Sequence, residues 1–172
     1  MPRRARAVTA ALASIAAVAV AAPPAAQADD AAMKAGVIPA LQAYSPKVKA
    51  VNKATSKVSR LSRGNTQASY RKAKRAARRA QPKARRAMKA AKVFGGLLLG
   101  QQPSSARGKK AKRLLLGALA QEQKGFRLVF KSLRAYRRGM TPRANGLVAK
   151  ADRRFAKAGR KGRKAVRLLA RI

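Results

Sequence analysis

Residues 110–140 repeat in sevens, and that repeat confines the chain to helices lying side by side. Leu119, Phe126, Leu133 and Met140 are seven apart, and Leu115, Glu122, Val129 and Tyr136 form a second row offset by three or four. On a helix the two rows merge into one stripe that only Glu122 interrupts. The opposite stripe reads Lys110, Arg113, Lys124, Arg127, Lys131, Arg134 and Arg138, broken by Gly117 and Ala120. One face requires a partner helix, and the other presents cations.

The same spacing organises the rest of the chain. Val37, Tyr44, Val51 and Val58, with Leu41, Val48 and Thr55, mark a helix over about 31–63, kinked or restarted at Pro39 or Pro46. Arg63-Gly64 reads as its stop, with Gly64 in the left-handed conformation. A second helix, about 66–94 and capped by Asn65 or Thr66, has Tyr70, Ala77, Ala84 and Ala91 in one row and Ala73, Ala80, Ala87 and Phe94 in the other. Pro82 falls in its middle and predicts a kink or a break. Residues 95–105 read as the longest connection, with Leu97, Leu98 and Leu99 plugging the open end of the bundle, a reading preferred to an exposed binding patch. The third helix, about 105–139, begins at a Ser104 or Ser105 cap. Thr141-Pro142 starts a fourth over about 142–171, whose rows are Val148, Phe155, Gly162 and Leu169 with Ala151, Ala158, Ala165 and Ile172.

These spacings predict an all-α fold, an elongated four-helix up-and-down bundle made of two helical hairpins. A weak repeat at an offset of 75 residues matches Arg63-Gly64-Asn65-Thr66 to Arg138-Gly139-Met140-Thr141, and an internal duplication would explain it. Chance similarity in so repetitive a composition competes with that explanation.

Residues 1–28 have the three parts of a secretory signal. Arg3, Arg4 and Arg6 precede an uncharged apolar run over residues 7–22, and Ala26-Gln27-Ala28 is an A-x-A cleavage site. Cleavage there makes residues 29–172 a single basic helical domain, secreted or held in the cell envelope. An uncleaved anchor is the competing reading. The domain keeps forty Lys and Arg against Asp29, Asp30, Glu122 and Asp152, a net charge of +36. Most of its apolar residues are Ala, so the core is expected to be thin.

Little catalytic chemistry is available. The chain has no His and no Cys, which removes the usual general base, thiolate nucleophiles and the commonest metal ligands. No phosphate-loop spacing is present. Glu122 at a core position is expected to pair with Arg or Lys of a neighbouring helix and set register. Asp152 beside Lys150 and Arg153 reads as one half of a surface ion pair. The chain is accordingly expected to be no enzyme, with no cofactor, no metal and no small-molecule substrate.

The functional signal lies in the cations opposite the seams. Arg71, Lys72, Arg78, Arg79, Arg85 and Arg86 line the second helix; Lys124, Arg127, Lys131, Arg134 and Arg138 the third; Arg153, Arg160, Lys164 and Arg167 the fourth. Compensating Asp and Glu are missing, so these are not the salt-bridged exteriors of ordinary bundles. Tyr44, Tyr70 and Tyr136 fall on seams, which leaves the stripes without stacking groups and favours recognition of backbone charge over bases. The expected partners are anionic polymers, namely wall polymers or nucleic acid, or an anionic membrane surface. Two alternatives are a membrane-active amphipathic protein and, if the leader is not a secretory signal, a nucleoid-type DNA-binding protein.

Overall fold

A computed structural model describes residues 28–64 and 66–172. Their structure is all-α: helices α1 (Ala28–Leu61), α2 (Gln67–Gly100), α3 (Ala106–Arg137) and α4 (Thr141–Leu169), with no strand among the described residues. The leader expected over residues 1–28 lies outside the described residues, apart from Ala28, which opens α1.

The heptad rows are the core. In α1, Val37, Leu41, Tyr44, Val48, Val51 and Val58 are buried, joined by Met33 one turn earlier. The seam of α2 is six alanines, from Ala73 to Ala91, that end in Phe94 and Leu98, all buried. Small α2 residues receive the larger side chains of α1, and the Tyr44 and Phe94 rings meet at 5.9 Å between centroids. The rows fray where they reach the helix ends, since Tyr70 and Met140 are 40% and 39% exposed.

The helices pack most extensively on their neighbours in sequence, and α3 with α4 most of all. That interface is built from small residues: Ala118 and Gly125 on α3 face a helix whose buried positions include Ala151, Ala158, Gly159, Gly162 and Ala165. Backbones of Gly and Ala approach closely, and one aromatic fills what remains. A Cβ on Gly125 would lie 2.7 Å from Cε1 of Phe155, whose ring packs edge-on against Phe126 at 5.2 Å.

Several local expectations are corrected. The second helix does not stop at 94 but runs to Gly100, because Leu98 continues the row of Ala91 and Phe94. The connection shrinks to residues 101–105. The Lys112 ammonium donates to the carbonyls of Leu99 and Gln101, which have lost their helical partners. Of the three leucines expected to plug the bundle, only Leu98 is buried, and Leu99 is 66% exposed. The expected break at Pro82 and restart at Pro39 or Pro46 are absent from α2 and α1, which run through all three prolines. Each proline is exposed, as are Ala35, Gln42 and Arg78 four residues before, so the freed carbonyls lie on the solvent side.

The ends differ too. α1 spans Ala28–Leu61, not 31–63, and α4 spans Thr141–Leu169, not 142–171. Gly64 is not left-handed, because α1 winds out through long three-residue turn bonds from Arg63 N to Arg60 O and Gly64 N to Leu61 O. Gly139 is, at φ 79°, and it closes α3 with bonds from Met140 N to Ala135 O and Gly139 N to Tyr136 O. Thr66 caps α2 in a reciprocal box with Ser69, and Ser105 caps α3 through Gly108 N at 2.9 Å. Thr141 is already the first residue of α4, whose cap position, Met140, supplies no side-chain bond. The two turns matched at an offset of 75 residues therefore differ in cap and in glycine conformation.

Two glycines should respond oppositely to alanine. Gly139→Ala strains a left-handed residue and brings its Cβ to 2.5 Å from the Tyr70 hydroxyl, so it should cost about 1–2 kcal/mol. Gly146→Ala enters open space on α4 and should add about 0.5–1 kcal/mol. Urea midpoints of the two variants, read by circular dichroism, check the pair of signs.

Candidate functional site

All fifteen Lys and Arg residues opposite the seams, Arg71 to Arg167, are exposed. Their placement follows from the narrow seams: α2 and α4 bury a single strip of mostly Ala and Gly, so most of each circumference faces solvent.

Contacts between helices set which cations come level. Arg137 donates to Oε1 of Gln81 at 2.8 Å, and the Arg85 guanidinium lies 5.1 Å over the Phe130 ring. These pairs put Lys131, Arg134 and Arg138 of α3 at the height of Arg78, Arg79, Arg85 and Arg86 of α2. Arg154 donates to Oε1 of Gln121 at 3.1 Å, which brings Lys124 and Arg127 level with Arg153. The remaining members are not gathered there. Lys161 packs over Gly117, so Arg160, Lys164 and Arg167 lie along the first half of α3. Arg71 and Lys72 lie at the opposite end of the molecule, in the first turns of α2.

Arg85 has a second role that its spacing does not reveal. Its guanidinium lies over the Phe130 ring across the α2–α3 interface, a cation–π contact that ties part of the group to the fold.

None of the four carboxylates forms an ion pair with a described Lys or Arg. Asp29 and Asp152 are exposed, while Asp30 and Glu122 are 3% and 2% exposed. The ion pair expected for Asp152 is therefore not made, and its carboxyl is raised by partial burial. The cation expected beside Glu122 is also absent: its partner is the Tyr44 hydroxyl, which donates to Oε2 at 2.6 Å. No Lys or Arg is buried among the described residues, whereas Tyr44 is itself a seam residue. Burial raises the Glu122 carboxyl to about 7 against the opposing pull of the Tyr44 hydrogen bond, and burial likewise pushes the Tyr44 hydroxyl up.

Asp30 makes a contact between helices that spacing does not show. Its Oδ1 accepts from Ser105 N at 3.4 Å, and a Cβ on Gly108 would collide with it. An acid in the first turn of one helix thus lies at the N-terminal end of another, where negative charge is favoured. Only the contact between α1 and the start of α3 makes that visible.

Among the described residues no group of three or more His, Cys, Asp or Glu converges, and no helix is long and apolar enough to cross a membrane. Compared with protein-family models, curated proteins and solved structures, the chain matches none.

Proposed function

We propose that this chain is a non-enzymatic polycation, exported by cleavage of its leader after Ala28, that binds anionic polymers of the cell envelope or its surroundings without regard to sequence. It would do so as an up-and-down four-helix bundle, its two hairpins holding Lys and Arg outward. The observation that carries this reading is the exposure of all fifteen seam-opposed cations with no carboxylate paired to any of them. Cations about 7 Å apart in water repel by roughly 0.6 kcal/mol per pair. A phosphate or uronate chain laid along them relieves that repulsion and releases its own counterions.

Duplex DNA and inorganic polyphosphate are suitable probes. For duplex DNA the logarithm of affinity should fall linearly with the logarithm of salt, at a slope of about −0.9 per phosphate neutralised, and equally for unrelated base sequences. Replacing Arg78, Arg79 and Arg86 by Gln should make the slope shallower by about 0.9 for each phosphate that is no longer neutralised, with unfolding unchanged. A salt-independent affinity, or a marked preference for one base sequence, overturns the reading.

A further inference from the structure

Among the described residues, the two most exposed large apolar side chains lie at the end of α2. Val93 is 74% and Leu99 66% exposed, while most other large apolar side chains are buried or packed against the core. Val93 and Leu99 flank the outward face of α2 on either side; Gly96 and Gly100 lie on that face, and a Cβ built on either meets nothing within 4 Å. Among the described residues nothing covers the stretch around these glycines.

Its surroundings are cationic. Lys92 and Lys89 share the outward face one and two turns before Gly96 and are exposed. The start of α3 lies alongside, since Lys112 reaches the carbonyls of Leu99 and Gln101, and it brings the exposed Arg107, Lys109 and Lys110. The acid at this end, Asp30, is buried against Ser105 and Gly108, and Asp29 beside it is exposed. An apolar face flanked by Lys and Arg matches a surface with apolar depth and negative charge at its rim, which is an anionic lipid bilayer. A second copy of the chain fits poorly. Two such ends brought face to face would crowd their Lys89 and Lys92 residues together with little acid to offset them.

We infer that this end of the bundle, centred on Val93 and Leu99 and flanked by Lys89, Lys92, Lys109 and Lys110, docks on anionic membrane surfaces. The apolar pair enters the headgroup region, and the cations engage lipid phosphates. The helices need not separate, because the docking face is already exposed. Docking differs from polymer binding in one physical respect: its apolar part survives salt, whereas counterion release does not.

The chain has no Trp, so a single introduced indole reports its own surroundings. Full-length Val93→Trp and Leu99→Trp should show blue-shifted emission, and quenching by lipid-borne quenchers, on phosphatidylglycerol vesicles. Both should stay solvent-like with phosphatidylcholine vesicles and with inorganic polyphosphate. Gln67→Trp, at the far end of α2, should stay solvent-like in all three. The double variant Val93→Ser/Leu99→Ser should lose tenfold or more in vesicle partitioning at high salt and bind polyphosphate as the parent does. Aqueous emission from Leu99→Trp on bound vesicles, no vesicle binding, or an equal shift from Gln67→Trp overturns the proposal. So does a lipid-independent blue shift that grows with protein concentration, which would make this face a self-association surface. Loss of polyphosphate binding with the vesicle response intact would overturn the polymer reading alone.

Discussion

Raising the pH from below 4.5 to above about 7 is expected to lower the unfolding free energy by about 3 kcal/mol, through Glu122. In the unfolded chain this carboxyl loses its proton near the ordinary value of 4.5; in the fold it holds it to about 7. Between those values the folded state binds more protons, so stability falls as pH rises. The loss is complete once the folded carboxyl is ionised. The sign is opposite to that of a salt-bridged surface carboxylate, because no cation replaces the water Glu122 gives up. The chain has no His to confuse the window.

Glu122→Gln should abolish most of this slope and unfold at higher urea than the parent at pH 8, because Gln still accepts from Tyr44 and carries no charge. Tyr44→Phe removes the bond that favours the ionised form, so the fall should begin at the same low pH and extend higher. Asp152→Asn is the control, since partial burial of Asp152 acts in the same direction. Urea midpoints of all four chains across the pH range decide it. A parent whose stability is flat from pH 4.5 to 8 removes the account of Glu122.

Phe126→Ala should cost about 3–5 kcal/mol, among the largest losses that one truncation in this core can produce. Phe126 is fully buried, packs edge-on against Phe155 and follows Gly125 at the most extensive helix interface. Its alanine-rich surroundings offer few large side chains to refill the space. Domains of this size are stable by roughly 5–15 kcal/mol, so the variant approaches the unfolding threshold, most of all at low salt where cationic repulsion is unscreened. Polyphosphate at about a hundred times its dissociation constant should restore about 2.7 kcal/mol if it binds only the folded chain. Leu99→Ala, on the exposed end of α2, should stay within about 0.5 kcal/mol of the parent. Thermal unfolding followed by circular dichroism compares the three. A parent-like midpoint for Phe126→Ala contradicts this description of the α3–α4 packing.

What was legible in the linear chain was most of what depends on position around a single helix; the exposed seam residues Tyr70 and Met140, at helix ends, are the exceptions. The seven-residue spacing alone placed Leu115, Leu119, Phe126, Val129 and Leu133 inside, made Glu122 a buried acid, and turned all fifteen cations outward. A helical period is local, so it can be read without knowing the neighbours. Glycine and proline misled where tertiary packing outweighs propensity: Leu98 is buried, and α2 therefore runs through Gly95 and Gly96.

Only the tertiary structure decided which seam residues meet and which cations share a level. Tyr44 as the partner of Glu122, Arg85 over Phe130, and Asp30 at the start of α3 all join residues far apart in the chain. Periodicity states which way a side chain faces; it carries no information on the axial stagger and rotation between helices. Those are set by the few bulky groups in an alanine core, Tyr44 against Phe94 and Phe155 against Gly125 and Phe126, whose fit depends on all the helices at once.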